Sequence, residues 1–174
     1  MKAKNTYDEP EPIESAEMPD LPDGWSWVRL AELASTLPRS IQSGPFGSSL
    51  LHSEFQDAGV LAIGIDNVMD GRYSLGNQNR ISEAKYRELE RYTARPNDVL
   101  ITVMATVGRC CVLPANIETA IITKHVYRIS PDTALIEPAY LMNALRGSSV
   151  VLRQMFGSVR GQTRPGINGE ILKK

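Results

Sequence analysis

The chain has 174 residues, 42% apolar and 22% charged, with a formal net charge of −1. That length and balance fit one globular domain able to bury its own core without a disulfide or metal staple. No run approaches the ~18–20 apolar residues of a membrane span, and a net charge near zero, read whole, argues against a nucleic-acid binder.

The charge is not evenly spread. Residues 1–24 hold seven acids and two bases, a net −5, while the rest hold 17 bases and 13 acids, a net +4. From Arg146 onward six bases stand against one acid, Glu170. An acidic leader thus masks a mildly basic body. Arginine outnumbers lysine 13 to 6, which tilts toward recognition over mere solubility.

Residues 1–20 contain Pro10, Pro12 and Pro19, many acids and almost no large apolar side chain. They read as a disordered leader, and without an apolar stretch they are no signal peptide. The fold is expected to begin at the turn signal of residues 21–24 and to run through residue 172. Trp25, Trp27 and Val28 suggest a short strand with the indoles packed. A brief helix over 30–36 ends before Pro38. Residues 41–51 read as a strand end entering a Gly-rich loop, with Phe46 packed beneath it. Residues 60–65 form a buried strand, and 66–71 are turn material. Ser82 caps a polar helix over 83–92. The turn of Pro96, Asn97 and Asp98 leads into a β-branched strand at 99–103, with 110–113 as its hairpin partner. Residues 120–129 read as one further strand carrying Lys124, Tyr127 and Arg128 as polar points. Pro138 opens a helix that Gly147 ends, and a second short helix runs from Ser148 or Ser149 to Gly157. Residues 158–169 are polar and Gly-rich, a loop. Residues 173–174 read as the start of a further element. Strands and helices without regular βαβ alternation indicate an α+β fold, a mixed twisted sheet with short helices.

Catalytic templates fail. There is no G-x-S-x-G, no H-E-x-x-H and no lysine after the Gly-rich loop. The amides of residues 44–49 could cradle a phosphate, which keeps a small phosphate-binding enzyme open as an alternative. Cys110 and Cys111 are adjacent, and no C-x-x-C exists, so neither a disulfide nor a zinc site is expected. His52 and His125 have no base or nucleophile partner suggested by spacing. No catalytic set and no metal site is expected, and the compartment implied is the cytoplasm.

Five segments carry a resemblance when taken in order. They are Leu21-Pro22-Asp23-Gly24-Trp25-Ser26-Trp27-Val28-Arg29-Leu30, Ile41-Gln42-Ser43-Gly44-Pro45-Phe46-Gly47-Ser48-Ser49-Leu50, Gly64-Ile65-Asp66-Asn67-Val68, Asn97-Asp98-Val99-Leu100-Ile101-Thr102 with Ala105-Thr106-Val107-Gly108-Arg109, and Gly161-Gln162-Thr163-Arg164-Pro165-Gly166-Ile167. Together they resemble the target recognition domain of the specificity (S) subunit of type I DNA restriction-modification enzymes. Asn97 stands where that family has glycine, a change that turn geometry tolerates.

The resemblance implies a non-catalytic chain that reads one half of a split double-stranded DNA target. It would direct methyltransferase (M) and restriction (R) subunits there. S-adenosylmethionine, ATP and Mg²⁺ would act on those partner subunits, with no cofactor on this chain. A second half-subunit, or a second copy of the chain, is a further expected partner. A half-subunit acting mainly in assembly is the alternative, because family members continue into a spacer helix and a second recognition domain. Candidate DNA contacts are Ser43, Gly44, Gly47, Ser48, Arg109, Lys124, Arg160, Gln162, Thr163 and Arg164. Arginines can meet phosphate or guanine, and Gln162 can pair bidentately with adenine. In a two-domain S subunit carrying this domain, Arg164→Ala is expected to reduce methylation of the native site, at a cost of ~1–3 kcal/mol for a lost bidentate contact. Unchanged methylation would exclude Arg164 from the contact set.

Overall fold

The computed structural model describes residues 18–157 together with Ile167 and Leu172. Alternating side chains sort its strands into packed layers. A four-stranded antiparallel sheet has the order β1 (Ile41–Ser43), β10 (Val126–Ile129), β7 (Val99–Thr102), β8 (Cys110–Val112). A second, mixed sheet has the order β5 (Arg80–Ile81), β2 (Val60–Ile63), β9 (Ala120–Ile122), β6 (Thr93–Ala94), with β2 and β9 parallel. A ribbon of β3 (Val68–Met69) and β4 (Arg72–Tyr73) completes the β structure.

Val99, Ile101, Cys110 and Ile129 face the helices α2 (Pro138–Gly147) and α3 (Ser149–Gly157), where they meet Leu141, Leu145 and Met155. Leu100, Cys111 and Val126 point the other way, onto Leu61, Ile63, Ala120 and Ile122 of the second sheet. The far face of that sheet, Val60, Ala62 and Ile121, packs on Leu89 and Tyr86 of α1 (Glu83–Leu89). Both sheets are therefore covered on both faces. This explains why β2, β7 and β9 read as unbroken apolar runs rather than alternating ones. Ile167 and Leu172 belong to the core between the first sheet and its helices.

The α+β class holds, with the strands divided between two packed sheets. Ser82 caps α1 by accepting from the Lys85 amide at 3.1 Å, and Pro138 is the first residue of α2. Three local expectations are corrected. Residues 25–28 form no strand, and Trp25 is 61% exposed rather than packed. Residues 120–129 are not one strand. The chain leaves the second sheet after Ile122, turns at residues 123–125 with Val126 N bonded to Thr123 O, and enters the first sheet. Met69, expected in a turn, instead pairs with Arg72 as the end of β3, while Asp70 and Gly71 make the turn as expected, with Gly71 N donating to Cys110 O at 2.8 Å. Of the expected leader, residues 1–17 lie outside the described residues. Pro19 touches the body through a 3.3 Å bond from Trp27 Nε1. Among the described residues no helix is long and apolar enough to cross a membrane.

The polar points of the core are specific. Arg128, which the apolar run left as a half-polar position, is fully buried in β10. Its Nη1 donates to Thr93 O in β6, its Nη2 to Arg39 O at 2.7 Å, and its Nε lies 3.8 Å from Asp98 Oδ2. Asp98 also accepts from Arg95 N at 2.7 Å. Burial pushes the Asp98 carboxyl above its ordinary range, and the bond from Arg95 N and the charge of Arg128 oppose that shift. Asp98→Ala would leave the arginine buried without its counter-charge, so a loss of ~3–5 kcal/mol in urea unfolding is expected. Asp98→Asn keeps an acceptor for Arg95 N and is expected to cost less. Equal midpoints for the wild type and Asp98→Ala would exclude this role.

Candidate nucleic-acid interface

Strand direction brings distant loops to one rim. β1 and β7 end where β8 and β10 begin, because each neighbouring pair is antiparallel. β9 ends at the same level, its parallel partner β2 beside it, with Thr123 N bonded to Ile63 O at 2.9 Å. With strands ~4.8 Å apart, the four ends of the first sheet span about 15 Å. Four loops rise from this rim: 44–49, 64–67, 103–109 and 123–125.

Three of these loops, 44–49, 64–67 and 103–109, are each closed by the residues of one sequence motif. Gly44 sits against the 123–125 corner and its amide donates to Val126 O at 3.2 Å. A Cβ there would collide with the backbone of Thr123 and the Ile122 carbonyl. Pro45 is buried beside it, and the loop then runs out to Phe46, Gly47, Ser48 and Ser49, all exposed. Gly47 has φ 61° with open space around it. Residues Gly47–Ser49 form only a 3₁₀ turn, too short to present a helix dipole to a phosphate.

Asn67 organises the second loop. It is 1% exposed, accepts from Gly64 N at 2.9 Å and donates to the carbonyls of Ser74, Leu75 and Asn77. Thr102 organises the third. Its hydroxyl donates to Thr106 O and accepts from Arg109 N at 3.1 Å, while its carbonyl accepts from Gly108 N at 2.8 Å. Gly108, at φ 91°, leaves room for Phe156 of α3, whose Cζ would lie 2.8 Å from an added Cβ. Val103 ties this loop to its neighbours, donating to His125 O at 3.0 Å and accepting from Ile167 N at 3.1 Å.

Six of the ten candidate residues meet on this rim. Ser43 is the half-buried last residue of β1, Gly44 is wedged against the corner, and Gly47, Ser48, Arg109 and Lys124 are exposed. Arg160, Gln162, Thr163 and Arg164 lie outside the described residues. Phe46, expected to pack under its loop, is instead 55% exposed. Neither Asn67 nor Thr102 was singled out by residue chemistry; their only signal was membership in an ordered motif.

The rim's charges are partly cancelled. Arg146 of α2 grips Asp70 with two bonds of 2.8 and 2.7 Å, and that contact holds the Asp70 carboxyl below its usual range. Arg109 lies close enough to lower it further. Lys124 remains an exposed cation on the corner, next to half-buried His125, whose pKa burial lowers. Exposed Asp66 is an acid on the same side. Cys110 and Cys111 are buried, and burial pushes both thiols up to about 12, so neither is a thiolate at neutral pH. Among the described residues no group of three or more His, Cys, Asp or Glu could hold a metal ion.

The chain has counterparts of known kind. Over 83 residues, 48% of its length, it is 30% identical to the type I restriction enzyme EcoBI specificity subunit of Escherichia coli, the match covering 17% of that subunit. Three solved structures share its fold. One comes from a study of complex assembly and conformational transition of the type I R-M system, with TM-score 0.62 and 23% identity over 91% of this chain and 35% of that one. The HsdS subunit from Thermoanaerobacter tengcongensis gives 0.52 and 21% over 91% and 34%. The type I restriction-modification S subunit from M. genitalium gives 0.52 and 12% over 89% and 34%. The chain thus spans about a third of each of these structures. No family model matches it. The resemblance to type I S subunits read from the five motifs is shown at the level of fold and sequence.

The two loop glycines separate packing from backbone strain. Gly44→Ala must displace backbone and is expected to cost ~3 kcal/mol, the upper part of the overpacking range. Gly47→Ala meets open space and is expected to cost only the left-handed penalty of about 1–2 kcal/mol. Urea unfolding of both variants checks the order, and a costlier Gly47→Ala would contradict it.

Proposed function

We propose that this chain is a non-catalytic DNA sequence-recognition module of the type I specificity-subunit kind. It reads one half of a bipartite target and directs methyltransferase and restriction subunits to it. One observation carries this reading: candidate contacts scattered from Ser43 to Lys124 in sequence converge on a single rim about 15 Å across, in a fold shared with S subunits.

The rim suits the task physically. Recognition of a duplex needs phosphate contacts that set register and base-edge contacts that carry sequence. Lys124 and Arg109 offer charge from two different loops, so they can meet phosphates at separate points. The hydroxyls of Ser43 and Ser48 can donate or accept at base edges, and the backbone amides of Gly47 and Ser48 can donate there. The loops stand on a doubly covered core, which keeps them in place while a partner methyltransferase extrudes its adenine. S-adenosylmethionine, ATP and Mg²⁺ belong to the partner subunits in this reading.

Mapping adenine methylation in the source genome, with and without this gene, is the decisive experiment. Loss of methylation at one bipartite motif is expected, and no lost motif overturns the reading. On a duplex carrying that motif, Lys124→Ala and Arg109→Ala are each expected to lower the slope of log K against log salt by about 1. Unchanged slopes for both would remove these side chains from the phosphate-contact set.

A further inference from the structure

We infer, resting on the DNA reading above, that Phe46 is an apolar wedge that enters the duplex from the rim and unstacks a base step. The ring is 55% exposed although its loop is fixed on both sides. Before it, Gly44 is pinned to the 123–125 corner and Pro45 is buried. After it, Gly47 turns the chain at φ 61°, and Ser49 N closes the turn onto Phe46 O at 3.3 Å. On this backbone, anchored before and after it, the phenyl ring stands more than half exposed. A phenyl ring has only two side-chain torsions to immobilise, so little entropy is lost when it is captured.

The surroundings favour a nucleic acid over a protein as the occupant. A protein hot spot lies in contiguous apolar surface that excludes water. Phe46 is followed by exposed Gly47, Ser48 and Ser49, and Gly44 joins its loop to the corner that carries Lys124. An apolar ring in a loop of hydroxyls, on a rim that also carries exposed Lys124 and Arg109, matches the make-up of side chains that insert between base steps while their neighbours hold phosphate. Unstacking one step beside the target would also ease extrusion of the adenine that a partner methyltransferase must reach.

The probe is the duplex carrying the methylation motif, with 2-aminopurine placed in turn at each base of the half-site. The intact chain is expected to raise fluorescence at one step on binding. Phe46→Ala is expected to abolish that rise and weaken binding about tenfold, while Phe46→Leu retains part of both. Because the ring is exposed, thermal unfolding of Phe46→Ala should match the wild type, which separates lost contact from lost fold. Wild-type affinity of Phe46→Ala, or silence of the probe at every position, overturns the wedge and leaves the DNA reading standing. A methylation map with no lost motif overturns that reading, and the wedge with it.

Discussion

The guanidinium of Arg128 sits where the two four-stranded sheets meet, 1% exposed, and bonds to a carbonyl on each side of the junction. One acceptor, Thr93, is in the edge strand of the second sheet; the other, Arg39, leads into the edge strand of the first. Arginine keeps its charge in proteins, so a buried guanidinium must find acceptors and a counter-ion or the fold fails. Asp98, at the entrance to β7, is that counter-ion. The turn before it is built to deliver it. Pro96 and Asn97 occupy its centre, Asn97 at φ 67°, and Asp98 N closes onto Arg95 O at 3.1 Å. That is the pattern of a type II turn, with proline first and a left-handed residue second. Arg39 likewise takes φ 59°, an uncommon conformation for a residue with a Cβ, at the point where its carbonyl receives Arg128.

With the sheets held face to face, the rim follows. β9 and β10 are joined by three residues yet lie in different sheets, so the chain must turn sharply at residues 123–125. That corner brings Lys124 out to solvent and leaves a backbone surface against which only a residue without a Cβ can close. Gly44 fills that place, and its position fixes where the loop leaves the sheet. The same corner anchors β7's hairpin loop through the bond from Val103 N to His125 O. A buried ion pair near the start of β7 thus helps hold together the sheets whose strand directions gather those loops at the other end.

Much of this was legible from residue type. Ser82 before a polar helix, proline at the first position of α2, and glycine ending α2 and α3 are local signals, and each lies where the pattern puts it. β-branched residues at 99–102 announce a strand wherever it packs. Local signals ran out where tertiary context decided the outcome. Residues 120–129 have one continuous apolar character, and nothing local says that three of them cross between sheets. Arg128 looks half-exposed in that run because periodicity does not reveal a second sheet covering its face. Trp25 and Phe46 are large and apolar, and burial is the sound expectation for such residues, yet both are exposed. Charge arithmetic misled in a related way. Arg146 begins the basic C-terminal stretch, but Asp70, 76 positions away, occupies it with two bonds.

The motifs themselves divide by physical role. Gly44, Asn67, Asp98, Thr102 and Gly108 hold loops closed, through a close approach, a carbonyl cage, a turn and a hydroxyl bridge. The side chains of Phe46, Ser48 and Arg109 take no part in those closures and belong to residues exposed to solvent. The residues that carry the resemblance are mostly of the first kind, because a loop that must stand at a fixed height has few ways to satisfy its buried polar groups. Exposed positions have no such constraint and can be exchanged at little cost to the fold. A likeness built on closing residues therefore identifies an architecture, and under the proposed DNA reading the base sequence is left to exposed side chains that the frame tolerates in many forms. The same division makes the exposed ring of Phe46 informative: it is a motif residue on the solvent side of its loop, where folding alone gives no reason for a phenyl group.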